Sequence, residues 1–305
     1  MNPFEGMSCT AAAVDLPMAG TAAHVTGWLC IEHPGAWGRD VLADQVLGPE
    51  ITAELAARSV AAHVRPTLIR RPGRNEFTGT RTVLLASSRP EGPWCERFEI
   101  TDLRQLFDID LHLVHGPAPG IGARVDDPVV LVCAHGKRDQ CCARLGRPIA
   151  ASLSADRPGR VWEASHTGGH RFAPAAVVLP TALTYGRVDA TTAEQMLTAA
   201  EAGRVSTVGF RGRGCHPPIG QLAEVAVRER VTAAIDDLTV ELEPTSTHDP
   251  TLAGAAVVTH RDGRRWRVTA HTVAAPPRQA SCNAAAKPTV YLEAATVEEL
   301  IPIAG

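Results

Sequence analysis

Apolar and polar positions trade places every few residues along this chain, so short elements are predicted throughout and long helices are not. Residues 53–64 bring alanine and leucine round at helical intervals and predict a helix. Residues 66–71 and 81–87 predict strands, and Pro72-Gly73 and Pro90-Glu91-Gly92 punctuate them as turns. Residues 116–122, rich in Gly and Pro, read as a linker and set a domain boundary.

Beyond it the pattern alternates in a tighter way. A strand over 129–133, a loop, helical turns through Ser154, a strand over 160–165, a second loop, a strand over 175–179 and a helix over 191–202 make one unit. Gly146-Arg147-Pro148 argues against a single long helix and predicts a short turn followed by a helix with Pro148 in its first turn. Tyr185-Gly186-Arg187 predicts a hairpin edge, which would make part of the sheet antiparallel. The last hundred residues predict a helix from Pro217-Pro218 through Arg228 to Ala234, then strands over 255–259 and 266–272. The expectation is a mixed α/β (α+β) chain in three regions, 1–122, 123–204 and 205–305.

Composition narrows the function classes. With 305 residues, 45% hydrophobic, 21% charged and a formal net charge of -3, the chain reads as an ordinary globular protein with no electrostatic signature of a nucleic-acid partner. No apolar run approaches the roughly 18 to 20 residues that span a bilayer, and residues 1–20 lack the pattern of a secretory signal. A cytoplasmic protein without a membrane partner is expected. Its eight cysteines are too irregularly spaced for a disulfide scaffold and should be mostly reduced. Cys9, Cys30, Cys95, Cys215 and Cys282 each stand alone and read as small buried hydrophobes. Cys141 and Cys142 differ, because Cys133 lies just upstream.

Cys133 sits where the apolar strand 129–133 enters a loop, a usual place for a functional site. Asp139 can cap the turn that follows, placing Cys141 and Cys142 at the second and third helical positions, where free N–H groups favour a thiolate. The second loop reads His166-Thr167-Gly168-Gly169-His170. Its adjacent glycines argue for a tight turn that approaches a ligand and donates backbone N–H groups to it. Two cysteines and two histidines after two neighbouring strands form a metal-binding set. Tetrahedral zinc accepts such a set, and so does a [2Fe–2S] cluster; eight residues between Cys133 and Cys142 exceed the usual zinc-finger spacing and lean toward the two-metal cluster. His135, Arg138, Cys141, Gly168 and Gly169 are the candidate supporting residues around the ligands. Lys137 and Arg138 read as solvated loop charges rather than a docking patch.

The segment Cys133-Ala134-His135-Gly136-Lys137-Arg138-Asp139-Gln140-Cys141-Cys142 and the loop His166-Thr167-Gly168-Gly169-His170 resemble the sucrase/ferredoxin-like family. Gly20-Thr21-Ala22, residues 28–38 from Trp28 to Gly38, and Ile69-Arg70-Arg71-Pro72-Gly73 extend the similarity over much of the first two hundred residues. The resemblance implies a thioredoxin-like ferredoxin domain holding a bis-histidinyl [2Fe–2S] cluster on Cys133, Cys142, His166 and His170. Its spacing picks Cys142 over Cys141. It also implies electron transfer with an unidentified redox partner protein, and a raised, pH-sensitive potential where imidazole replaces thiolate. Sucrase activity receives little support, since a glycosidase needs a carboxylate pair and Glu163 stands alone. No catalytic residue is nominated. The competing readings are a structural zinc protein on the same four ligands, and a thiol redox enzyme using Cys141 and Cys142.

Overall fold

Gly27–Glu32 form the first strand, β1, and all six residues are buried. A strand covered on both faces carries no polar and apolar alternation, which is why the sequence pattern passes over it. The protein, described by a computed structural model, is defined over residues 4, 6–73, 76–244, 252–282 and 284–301. Helix α1 (Pro49–Ala61) leads into β2 (Val64–Arg70); β3 (Arg81–Ser87) and β4 (Trp94–Ile100) pair as a hairpin, and β5 (Ala123–Arg124) adds to β4. There follow β6 (Val129–Cys133), α2 (Gln140–Asp156), β7 (Val161–Ala164), β8 (Ala176–Leu179), β9 (Leu183–Tyr185), α3 (Ala190–Glu201) and β10 (Phe210–Arg213). These strands form one mixed sheet in the order β10-β9-β8-β6-β7-β2-β1-β3-β4-β5.

The two-residue period of a strand sorts its core. Leu29 and Ile31 of β1 join Val83 and Leu85 of β3 in the cluster that takes in Ile51 and Leu55 of α1, while Trp28, Cys30, Leu84 and Ala86 join Val129, Leu131 and Trp162 in another. Val130 and Val132 of β6 join Leu153 of α2 and Met196 and Leu197 of α3. Trp28 and Trp37 are both core residues.

Helix α4 (Pro218–Arg228) is buried from Gly220 to Arg228, against β10 and a second, antiparallel sheet. That sheet runs β11 (Leu238–Leu242), β12 (Leu252–His260), β13 (Arg265–Arg278) and β14 (Lys287–Leu300). The end of β13 meets the N-terminal segment, where Arg278 donates to the Ala12 carbonyl at 2.9 Å. The architecture is mixed α/β, consistent with α+β. Among the described residues, no helix is long and apolar enough to cross a membrane.

Several elements depart from the sequence reading. Helix α2 is continuous from Gln140 to Asp156 with Pro148 inside it, not a turn followed by a helix. Proline removes one backbone donor there, and burial of Cys141, Cys142, Gly146, Ala150 and Leu153 outweighs that loss. Helix α4 ends at Arg228, whose guanidinium takes the carbonyls of Ala233, Ala234 and Ile235 and folds the chain back. The expected antiparallel edge exists, but Tyr185 is the end of β9 and Gly186 and Arg187 lie past it; β9 pairs with β8 and β10. Residues 116–122 are pinned, since the buried Glu96 carboxylate accepts from the N–H groups of Gly120, Ile121 and Gly122 at 2.7 to 3.0 Å. The sheet continues from one side of that segment to the other through the β2–β7 pairing.

Candidate metal centre

Parallel pairing of β6 with β7 sets Cys133 opposite Ala164, so the two loops leaving these strands begin side by side. The Cys133 N–H bonds the Ala175 carbonyl and the Ala134 N–H bonds the Ala164 carbonyl, both at 2.9 Å, which fixes the end of β6 between its neighbours. Asp139 caps α2 by accepting from the Cys141 N–H at 2.9 Å. Cys141 and Cys142 therefore occupy the second and third helical positions, as the sequence predicts. Gly146 allows α2 to lie directly on the strand end: a Cβ there would stand 2.2 Å from the Cys133 carbonyl oxygen.

Cys133 and Cys142 are both buried, and their thiols are hydrogen-bonded to each other. The Cys142 thiol donates to Cys133 and lowers the Cys133 pKa well below the usual thiol range; His166 and the Thr167 N–H act the same way against the opposing effect of burial. The same bond, with burial behind it, pushes the Cys142 thiol up. The bond thus sets the proton affinities of the two thiols apart, Cys133 below Cys142.

The second loop is tight because two glycines take left-handed conformations, Gly168 at φ +105° and Gly169 at +74°. Gly169 also abuts the Arg211 guanidinium, 2.2 Å from where a Cβ would stand. Arg211 is fully buried, donates to the Gly168 carbonyl at 3.1 Å and to the Thr21 hydroxyl at 3.0 Å, and also holds the Thr21 carbonyl. Burial lowers its pKa to about 10. Held this way, His166 and His170 stack with ring centroids 4.2 Å apart. The Nδ1 atoms of both rings are buried without a hydrogen-bond partner. Burial, then the neighbouring His166, lowers the His170 pKa to about 4, so its ring is neutral near pH 7.

His135 supports this loop from behind. Its Nε2 donates to the Gly38 carbonyl at 3.0 Å, which leaves Nδ1 to accept from the His166 backbone N–H at 3.1 Å. Trp37 packs edge-on against the same ring at 5.8 Å, and the Arg70 guanidinium lies 4.3 Å over Trp37. Arg70 in turn pairs with Glu163 at 2.7 Å. Glu163 is thereby a structural ion-pair partner next to the loop. Arg138 is half-exposed and pairs with Asp40 at 3.6 Å, and Lys137 is exposed.

Cys141 turns away from Cys133 and the two imidazoles. Its thiol meets those of Cys9 and Cys282, and the three sulfurs with an Asp139 oxygen all lie within 4.8 Å of one another. Cys9 and Cys282 are thus not the isolated hydrophobes the sequence suggests. They stand 273 residues apart, with nothing in their spacing to join them. Cys30, Cys95 and Cys215 are buried as expected, and burial pushes the thiols of Cys95 and Cys215 up to about 12. The supporting roles of Arg211, Trp37 and Gly38 also escape sequence reasoning, although the resemblance draws attention to the segment containing Trp37 and Gly38.

The donor set fits a metal group: a hydrogen-bonded pair of buried thiols lies beside two stacked imidazoles whose buried Nδ1 atoms are orphaned. The curated proteins and the solved structures compared with the chain contain no match. The family model described as sucrase/ferredoxin-like matches residues 18–212, which takes in both loops, β1 and Arg211. That match covers well over half of the 305 residues, and the chain belongs to the sucrase/ferredoxin-like family.

Proposed function

We propose that Cys133, Cys142, His166 and His170 hold a [2Fe–2S] cluster and that the chain is a one-electron carrier serving a redox partner protein in the cytoplasm. The observation that carries this reading is the pair of stacked imidazoles whose buried Nδ1 atoms lack partners beside two hydrogen-bonded thiols. When bound, such a cluster supplies reversible one-electron chemistry. The thioredoxin-like reading of residues 123–204 is supported by the strand order β9-β8-β6-β7, with α2 crossing between the parallel β6 and β7.

The chain's own residues divide the work. Cys133 and Cys142 offer thiolate sulfur from the strand end and the helix start. His166 and His170 offer imidazole nitrogen from one glycine-tightened loop, and each ring keeps its second nitrogen for a proton. His135 orients His166 through its backbone, and Arg211 closes the loop from below. Protein purified without oxygen should be red-brown, with a paramagnetic signal on reduction and about two irons per chain. Colourless protein with zinc at these four ligands would overturn the proposal in favour of a structural site.

A further inference from the structure

Cys9, Cys141 and Cys282 reach one point from the N-terminal segment, the first turn of α2 and the β13–β14 connection. Their sulfurs form a triangle with edges of 3.7, 3.3 and 3.6 Å. The Asp139 Oδ2 atom stands 3.3 Å from the Cys9 sulfur. Four ligands at the vertices of a tetrahedron with metal–sulfur bonds of about 2.3 Å would have sulfur–sulfur edges of about 3.8 Å. The triangle is near that size, and too wide for a disulfide, whose sulfurs lie about 2.05 Å apart. A third thiol would also be left over from any such bond.

We infer that Cys9, Cys141, Cys282 and Asp139 form a second metal site, distinct from the Cys133/Cys142/His166/His170 set, that takes a single tetrahedral zinc-class ion. Three soft sulfurs and one carboxylate select zinc over magnesium or calcium. All three thiol pairs lie at contact distance, which suits one ion; a cluster would distribute its ligands over several metals. Asp139 is prepared for the role. It is buried, and its two oxygens already accept from the Cys141 N–H at 2.9 Å and the Cys282 N–H at 2.8 Å, which aims the carboxylate at the sulfurs. Cys9 and Cys141 are nearly fully buried, and Cys282 is the partly exposed member through which an ion would enter.

The site would fasten both distal segments of the chain over the start of α2, next to Cys142. Binding replaces thiol protons with the ion, so zinc uptake should release protons and weaken at low pH.

Metal analysis of the whole chain, purified without oxygen, tests the inference apart from the iron reading. About one zinc per chain should be present besides any iron, and should survive dialysis against a moderate chelator. Cys9→Ser and Cys282→Ser should each lose the zinc and keep the iron and visible spectrum, whereas His166→Ala and His170→Ala should lose the iron and keep the zinc. Cobalt(II) in place of zinc should give the intense visible bands of a tetrahedral thiolate site in the wild type and not in Cys9→Ser. The inference is overturned by absence of zinc in chain purified from zinc-supplemented medium, by zinc unchanged in both serine variants, or by loss of two titratable thiols restored by reductant without metal. If iron is absent while zinc behaves as stated, the first proposal fails and this one stands.

Discussion

At the scale of single residues, contacts separate the proposed ligands from their supports. His166 and His170 present unpartnered buried nitrogens, whereas both nitrogens of His135 are engaged. His166→Ala and His170→Ala should therefore abolish most iron retention, while His135→Ala should have the smaller effect, about 10- to 100-fold in metal affinity, the usual cost of losing a group that orients a ligand. Iron and sulfide content per chain decides this, and equal retention in all three variants would sink the assignment. Cys142→Ser should likewise cost the iron, whereas Cys141→Ser should spare it.

His170 also gives the metal-free chain a pH signature. Its folded pKa, about 4, lies below the ordinary 6.5 because burial opposes the charged ring. Between those values the unfolded chain binds a proton that the folded chain refuses, so stability is full above about 6.5 and falls as pH drops toward 4. Thermal unfolding of the metal-free protein at pH 7 and pH 5 should show a lower midpoint at pH 5, and His170→Gln should reduce that difference. With the cluster bound, protons on the ligand imidazoles should make the midpoint potential fall as pH rises, by up to about 59 mV per unit. A flat potential from an intact protein would argue against titrating histidine ligands.

At the scale of elements, two glycines set how closely the site is built. Gly146 lets α2 rest on the Cys133 carbonyl, and a methyl group there must push helix and strand apart. Gly146→Ala should destabilise the fold by about 1 to 3 kcal/mol, the usual range for overpacking, and weaken iron retention because Cys142 moves with the helix. Gly169→Ala combines a left-handed backbone with a clash against Arg211 and should be at least as damaging. Chemical denaturation and iron content of the two variants would measure both effects. Retained stability in Gly146→Ala would mean that the helix can shift without cost.

At the scale of the whole molecule, α4 joins the two sheets and carries a buried ion pair. Glu224 and Arg228 lie 2.9 Å apart, both nearly inaccessible to water. Removing one partner leaves an uncompensated buried charge, so Arg228→Met or Glu224→Gln should each cost about 3 to 5 kcal/mol. Arg228 also binds three backbone carbonyls at the end of α4, so its loss should be the greater. The double variant should cost less than the sum of the two, measured as a double-mutant cycle in denaturant. Strict additivity would show that the pair does not act as a unit.

The sequence by itself determined the local features. Asp139 caps α2 because its carboxylate reaches the next N–H groups, the two glycines make the His166–His170 loop tight, and 129–133 is a strand because five apolar residues end at a cysteine. These are interactions over a few residues, and they leave a readable period or spacing. The sequence also held the four candidate ligands, since Cys133 and Cys142 flank one loop, His166 and His170 bound the next, and a strand-loop-helix unit brings the pairs together. Tertiary structure decided what depends on distant neighbours. Pro148 stays inside α2 because the buried face of the helix outweighs one missing hydrogen bond, and β1 is hidden from pattern reading because it is covered on both sides. The meeting of Cys9, Cys141 and Cys282 was decided there too. Contact across 273 residues leaves no period in the chain, because it arises from where the fold places the N-terminal segment and the end of β13 and not from any local preference.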